Sequence, residues 1–331
     1  MSESPQVSVV VPAYNEADYI EQCVRSVLEQ EASVPFEMVV CDDASADETR
    51  SILRSLESEY DALRVLENDE NRGMFPTSER LVNAAESDRI VRMDADSYMK
   101  PGTVQALSEA FDAGADIVYG KIDVANTQSL HPAASQVGKE QGRATWWGGA
   151  CMGVRRGLLS DGTEEVDGIG PKMKYLGPKH QVEALDVDVT TLEDVGVYSN
   201  FPTDLQGVLR RKYESGTLYI VECRHSPENF SLSEMRGPLF WTVFAAVAVA
   251  SLRFSKLRSL AALLLCIPLL QYGRDAPLAV DISDRESFYL LYPLYKSGSG
   301  LARTAGIWRR ADALVDILAR KWSLSDRSPE N

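Results

Sequence analysis

A chain of 331 residues with 49 acidic against 34 basic side chains, a formal net charge of −15, is long enough for one large or two modest domains. It is too negative to be a general nucleic-acid binder, because phosphate neutralisation needs clustered Lys and Arg. The imbalance is uneven: residues 1–200 hold 36 acids and 17 bases, whereas residues 201–331 hold 13 and 17, so the two parts face different surroundings. Only 10 of the bases are lysine, and an acidic, lysine-poor surface suits the high-salt cytoplasm of a halophile. Loss of the folded circular-dichroism signal on moving from molar to low salt is the check on that expectation. Cys23, Cys41, Cys151, Cys223 and Cys266 are scattered, without C-x-x-C spacing, and read as core residues in a reducing compartment. The first residues are polar and a strand starts at Val7, so no signal peptide is expected and the first half is expected in the cytoplasm.

In chain order, the apolar run 7–11 stopped by Pro12 predicts a buried strand. Apolar positions Ile20, Cys23, Val24, Val27 and Leu28 then recur at three and four and predict a helix, with Asn15 as its cap and Asp18 in its first turn. Residues 36–41 read as a second strand, followed by the polar turn Asp42-Asp43-Ala44-Ser45-Ala46-Asp47-Glu48-Thr49 and a helix to about Leu56. Residues 64–67 make a third strand, and Arg89-Ile90-Val91 a fourth that leads into Arg92-Met93-Asp94-Ala95-Asp96. Alternating strand and helix implies crossovers and a mostly parallel sheet, whose ligands bind outside the carboxyl ends of the strands. On a strand, residues i and i+2 share a side, so Asp94 and Asp96 can aim hard oxygens at one divalent ion that takes its other ligands from water and phosphate. The polar turns holding Asn15 and Glu16, Asp42 and Asp43, and Asp94 and Asp96 converge on that one edge.

Residues 120–143 are polar and read as loop-rich. Trp146-Trp147-Gly148-Gly149 follows, either packing against a tight turn or forming the wall of an acceptor cleft, and Asp167 stands beside Gly168 and Gly170. After Pro238 the apolar runs 239–252 and 260–270 are each shorter than the roughly 18 to 20 residues of a spanning helix, with Arg253, Lys256 and Arg258 between them. They read as a re-entrant or interfacial hairpin over 238–272 near lipid headgroups, or as a buried hairpin. Residues 288–292 and 301–322, the latter rich in Arg, read as amphipathic helices.

Val7-Ser8-Val9-Val10-Val11-Pro12-Ala13-Tyr14-Asn15-Glu16, Cys41-Asp42-Asp43-Ala44-Ser45, Asn71-Arg72-Gly73 and Asp94-Ala95-Asp96 resemble, in order and spacing over roughly residues 6–215, the family 2 inverting glycosyltransferases. The resemblance implies an α/β GT-A nucleotide-diphospho-sugar transferase fold, a mostly parallel sheet flanked by helices, as a catalytic domain over 1–230, followed by a helical membrane-associated region over 231–331. It implies a nucleotide-diphosphate sugar donor held by Pro12, Ala13, Tyr14, Glu16, Asp42, Arg72, Asp94 and Asp96, with Asp96 on Mg2+ or Mn2+ and Asp94 toward the ribose or sugar. The counterpart of the family's base, usually the Asp of a Glu-Asp pair, is Asp167, preceded here by Val166 with Glu164 and Glu165 nearby; Trp147, Gly148 and Gly149 would face the acceptor. Processive members carry Gln-x-x-Arg-Trp where this chain has Leu209-Arg210-Arg211-Lys212-Tyr213, which implies addition of a single sugar. The expected acceptor is a polyprenyl phosphate or lipid-linked glycan at the cytoplasmic face of the cell membrane. A nucleotidyltransferase is the alternative enzyme, though Pro12-Ala13-Tyr14-Asn15-Glu16 lacks its glycine and lysine, and a dead sugar-nucleotide binder is the alternative without catalysis.

Overall fold

The computed structural model describes residues 4–140, 150–160, 187–225, 230, 232, 235–310, 312–313 and 317–318, and the chain divides into two compact units. Unit 1 comprises residues 1–125 and 144–200; unit 2 comprises 126–143 and 201–331.

Unit 1 opens β1 (Val7–Ala13), α1 (Ile20–Leu28), β2 (Phe36–Asp42), α2 (Thr49–Glu57), β3 (Leu63–Glu67), α3 (Met74–Ala84) and β4 (Arg89–Met93), the alternation expected from the sequence. There follow β5 (Ser97–Met99), α4 (Thr103–Asp112), β6 (Ile117–Val124), β7 (Cys151–Arg155), α6 (Arg156–Ser160) and β8 (Val189–Ser199), while α5 (Leu130–Glu140) belongs to unit 2. Among the described residues the sheet runs β3-β2-β1-β4-β7-β6-β8-β5. Neighbours β3, β2, β1 and β4 are parallel, and β7 runs antiparallel to both β4 and β6.

The period of two in each strand divides its apolar residues between two cores. Val7, Val9 and Val11 of β1, Met38 and Val40 of β2, and Val91 and Met93 of β4 pack with Ile20, Cys23, Val24 and Val27 of α1 on one face. Val10, Val39, Cys41 and Ile90 pack with Leu81 and Val82 of α3 on the other. Strands buried on both faces must read as continuous apolar runs, which is why 7–11 was legible as a strand. The expected loop over 120–143 is more ordered than its polarity suggests, since it contains the end of β6 and all of α5.

Unit 2 is helical: α5, α7 (Leu205–His225), α8 (Arg236–Arg253), α9 (Leu257–Gly273), α10 (Ala276–Ser283) and α11 (Phe288–Trp308). Helices α7 and α11 approach closely because glycines stand at their crossing. A methyl group on Gly306 would collide with the Tyr213 carbonyl oxygen, and one on Gly216 with that of Arg303. The two apolar runs after Pro238 form α8 and α9, with Leu239, Leu252, Leu260, Leu263 and Leu270 exposed: of α8 only Pro238 and Trp241 are buried, and of α9 only Pro268. No helix among the described residues is long and apolar enough to cross a membrane.

Candidate active site at the carboxyl edge of the sheet

The parallel strands end level, with Ala13 opposite Asp42 and Asp42 opposite Glu67. The loops after β1 and β2 are laced together rather than independent. Asp43 N–H donates to the Ala13 carbonyl (2.8 Å), Asn15 N–H to Ser45 Oγ (2.9 Å), Glu16 N–H to Thr49 Oγ1 (2.8 Å) and Ala17 N–H to Asp47 Oδ2 (3.1 Å). Asn15 returns the link, its Oδ1 accepting from Ala46 N–H at 2.8 Å. Asn15 is therefore not the cap of α1, as its position before the helix suggested; the cap position is Tyr19, without a side-chain bond, and Asn15 takes a left-handed φ of 57° to reach the neighbouring loop. Ala44 holds φ 59° in that loop, an uncommon conformation for a residue with a Cβ and one that such an interlock sustains.

The adjacent acids Asp42 and Asp43 are both buried, with different partners. Asp42 has no exposed surface and accepts from Arg50 Nε (2.9 Å) and, at 3.3 Å to each oxygen, from Ser45 N–H. Asp43 accepts from Asn68 Nδ2 (2.6 Å), Arg72 N–H (2.9 Å) and Gly73 N–H (2.8 Å). Burial pushes the Asp43 carboxyl up, but the bonds from Arg72, Asn68, Thr77 and Gly73 outweigh it and hold the group below its ordinary range. Asp43 thereby sets the turn Asn71-Arg72-Gly73 that opens α3. The turn needs glycine at its last position, where φ is 85°. Arg72 is tied by its backbone and its side chain is exposed, as is that of Tyr14.

Asp94 and Asp96 lie in the turn between β4 and β5, not on a strand, so strand alternation does not aim them. Their placement comes from tertiary contacts. The buried Arg92 donates through Nη2 to Asp94 Oδ1 at 2.7 Å and touches Met74 Sδ at 3.2 Å. The Asp96 carbonyl accepts from both the backbone N–H and Nδ2 of Asn200, each at 3.0 Å, and the Asp96 carboxylate accepts from Ser97 Oγ at 3.3 Å. The structure brings these acids to the β1 loop. The buried Cys23 thiol is pushed above its ordinary range by burial and then by the charges of Asp96, Asp94 and Glu16. Tyr19 is raised by burial, with Asp18, Glu16 and Asp96 adding to it.

Trp147, Gly148, Gly149, Glu164, Glu165 and Asp167 lie outside the described residues. The basic stretch 209–213 lies on α7 of unit 2. Arg92 and Asn200 escaped the sequence reading, which placed Asp43 at this edge without giving it a role. For Arg92 the available signal was a charge inside an otherwise apolar strand two residues before Asp94; Asn200 offers none, since it lies 104 positions from its partner.

The profile of glycosyl transferase family 2 matches residues 8–155, a range that holds the four motifs but for Val7 at the start of the first. This segment is a family 2 glycosyltransferase domain. Among its relatives, chondroitin synthase of Pasteurella multocida (strain Pm70) is 34% identical over 107 residues, covering 32% of this chain and 11% of the synthase. Dolichol-phosphate mannosyltransferase of Pyrococcus furiosus is 32% identical over 115 residues, 35% of this chain and 32% of that protein. This chain thus spans about a third or less of these two relatives. A solved mannosyltransferase from Pyrobaculum calidifontis, in complex with GDP-Man and Mn2+, superposes with a TM-score of 0.52 over 99% of this chain and 89% of its own, at 19% identity. The fold of the chain is accordingly GT-A-like, with a helical C-terminal region.

Proposed function

We propose that this chain transfers one sugar, with inversion, from a nucleotide-diphosphate sugar to a membrane-borne acceptor such as a polyprenyl phosphate or lipid-linked glycan. The observation that carries the reading is the gathering of Glu16, Asp94 and Asp96 around one buried thiol at the carboxyl ends of β1 and β4, beside the interlocked loops that follow β1 and β2. Pro12, Ala13, Tyr14, Glu16 and Arg72 would line the nucleotide, with the exposed Tyr14 ring and Arg72 guanidinium available to base and phosphate. Asp42, having no exposed surface, would act chiefly by holding the Ser45 turn through its own carboxylate.

Asp96 with Asp94 suits Mg2+ or Mn2+, as hard carboxylate oxygens do. The remaining ligand positions of such an ion would be filled by diphosphate oxygens and water. When bound, the ion would neutralise negative charge developing on the departing diphosphate. Arg92 would hold the Asp94 carboxylate toward the sugar, and Asp167 would deprotonate the acceptor hydroxyl, with Trp147, Gly148 and Gly149 around it.

Single addition is supported by Leu209-Arg210-Arg211-Lys212-Tyr213 in place of the processive Gln-x-x-Arg-Trp. Membrane docking at the cytoplasmic face is supported by Leu252, Leu263 and Leu270, which are 81%, 63% and 73% exposed on α8 and α9, with exposed Arg253, Lys256 and Arg258 around the connection. The test is release of free nucleotide from a panel of sugar nucleotides, with Mn2+ or with EDTA. Release that needs the metal and disappears in Asp96→Ala supports the reading; release that is indifferent to both removes it.

A further inference from the structure

Arg92 joins the Asp94 turn to the start of α3 through a single nitrogen. Its side chain is buried, and its Nη2 donates both to Asp94 Oδ1 at 2.7 Å and to Met74 Sδ at 3.2 Å. Met74 is the first residue of α3, and its backbone is fixed on both sides. The preceding Gly73 N–H donates to Asp43 at 2.8 Å, and the Met74 carbonyl accepts from Ser78 Oγ at 2.8 Å. The thioether is thereby held against the guanidinium that orients Asp94.

Met74 also differs from the other methionines in its access to solvent. Of the eight in the chain, Met38, Met93, Met99, Met152 and Met235 are buried, whereas Met74 is 48% exposed; Met1 and Met173 lie outside the described residues. Exposure decides which methionine meets an oxidant in solution first. With hydrogen peroxide a sulfur lone pair attacks one peroxide oxygen and the O–O bond breaks. The proton on the transferred oxygen passes to the departing hydroxide, so the sulfide is oxidised to a sulfoxide and the peroxide is reduced to water.

A sulfoxide cannot take the thioether's place beside Arg92. Its sulfur is positively polarised and its oxygen is a strong acceptor, where the thioether is a weak one. An oxygen added on the side facing Arg92 enters a gap of 3.2 Å that has no room for another atom, and it competes with Asp94 for the same Nη2. An oxygen added on the other side leaves a positively polarised sulfur against the guanidinium. Both epimers therefore loosen the bond from Arg92 to Asp94.

We propose that Met74 is a modification site, oxidised to its sulfoxide by hydrogen peroxide, and that the sulfoxide draws Arg92 away from Asp94 and slows sugar transfer. The effect on transfer rests on the reading above; the site of oxidation and the loosened ion pair rest on the geometry alone.

The full chain and its Met74→Leu variant, treated with peroxide, quenched with catalase and then reduced with dithiothreitol to return the exposed Cys266 to its thiol, test it. Peptide mass spectrometry should find Met74 oxidised before any of the five buried methionines. Metal-dependent nucleotide release by the wild type should fall about tenfold, the scale of losing one charge-assisted hydrogen bond, and should recover on repair with the two methionine sulfoxide reductases, which take one epimer each. Met74→Leu should keep its own untreated rate. The ion pair is read without turnover: peroxide should lower the urea midpoint of the wild type, and lower it less in Asp94→Asn, where the pair is already gone. A buried methionine oxidised ahead of Met74, a Met74→Leu that slows as much as the wild type, or equal midpoint losses in the wild type and Asp94→Asn overturn the proposal. An untreated wild type that releases no nucleotide overturns the transfer reading instead, and the peptide map and the urea cycle then decide this one.

Discussion

Asp43 in unit 1 and Lys212 in unit 2 are charged residues withdrawn from water that the chain treats in opposite ways. Asp43 is met by three N–H donors, from Asn68, Arg72 and Gly73, and the turn that opens α3 is built around it. Lys212 feels Lys296, Arg211 and Arg303 and has no acidic partner among the described residues. The first charge is consumed in making the fold, and the second is weakened by burial and by its cationic neighbours. The distinction matters at the sheet edge too, where Asp42 and Asp43 belong to the architecture while Asp94 and Asp96, partly exposed, carry the proposed chemistry.

The sharpest way to break this comparison is Asp96→Ala. It should lower metal-dependent turnover by at least about a hundredfold, the scale of losing a group that acts on developing charge, while the urea midpoint stays near that of the wild type. A large loss of stability would move Asp96 into the class of Asp43. Asp43→Ala should do the reverse and cost about 3 kcal/mol of folding stability in urea titrations, because buried backbone donors of Arg72 and Gly73 lose their acceptor. The acid limb sharpens the point. Because the folded carboxyl of Asp43 lies below its ordinary value, its contribution is complete above the unfolded value near about 3.9 and is lost as pH falls through the lower folded one. The slope of stability against pH in that window should flatten in Asp43→Asn.

A smaller effect tests whether unit 2 is held by close approach of backbones. Gly306→Ala should destabilise by about 2 kcal/mol, since its methyl group would meet the Tyr213 carbonyl. The smallest change in stability is expected from Leu252→Asp with Leu270→Asp, both far exposed. These should leave the melting temperature within the narrow range typical of surface substitutions, about 0.5 kcal/mol, yet weaken flotation with vesicles. Unchanged flotation would remove the docking role of α8 and α9.

The strands and first helices of unit 1 were legible in the sequence because each is a local pattern. Residues 9–11, 38–41 and 90–91 are apolar where a sheet is covered on both faces, and Ile20, Cys23, Val24 and Val27 repeat with the period of one buried helix face. The order of motifs around Asp42, Arg72 and Asp94-Ala95-Asp96 was legible for the same reason, since each sits where one such pattern stops. Partnership was not. Asn15 looked like a cap and instead ties one loop to the next, and the Asp-x-Asp pair looked like the end of a strand and is a turn positioned by Arg92 and Asn200. Asp42 and Asp43 are neighbours of one residue type, and only the arrival of Arg50 at one and of Asn68, Arg72 and Gly73 at the other separates their roles. His131 and Tyr295 stand 164 positions apart, and no window of sequence brings them together. Periodicity is set by which side of an element is dry, a property of a dozen consecutive residues. The fate of a charge depends on what chain folding delivers to it from far away, and that was decided by the tertiary structure alone.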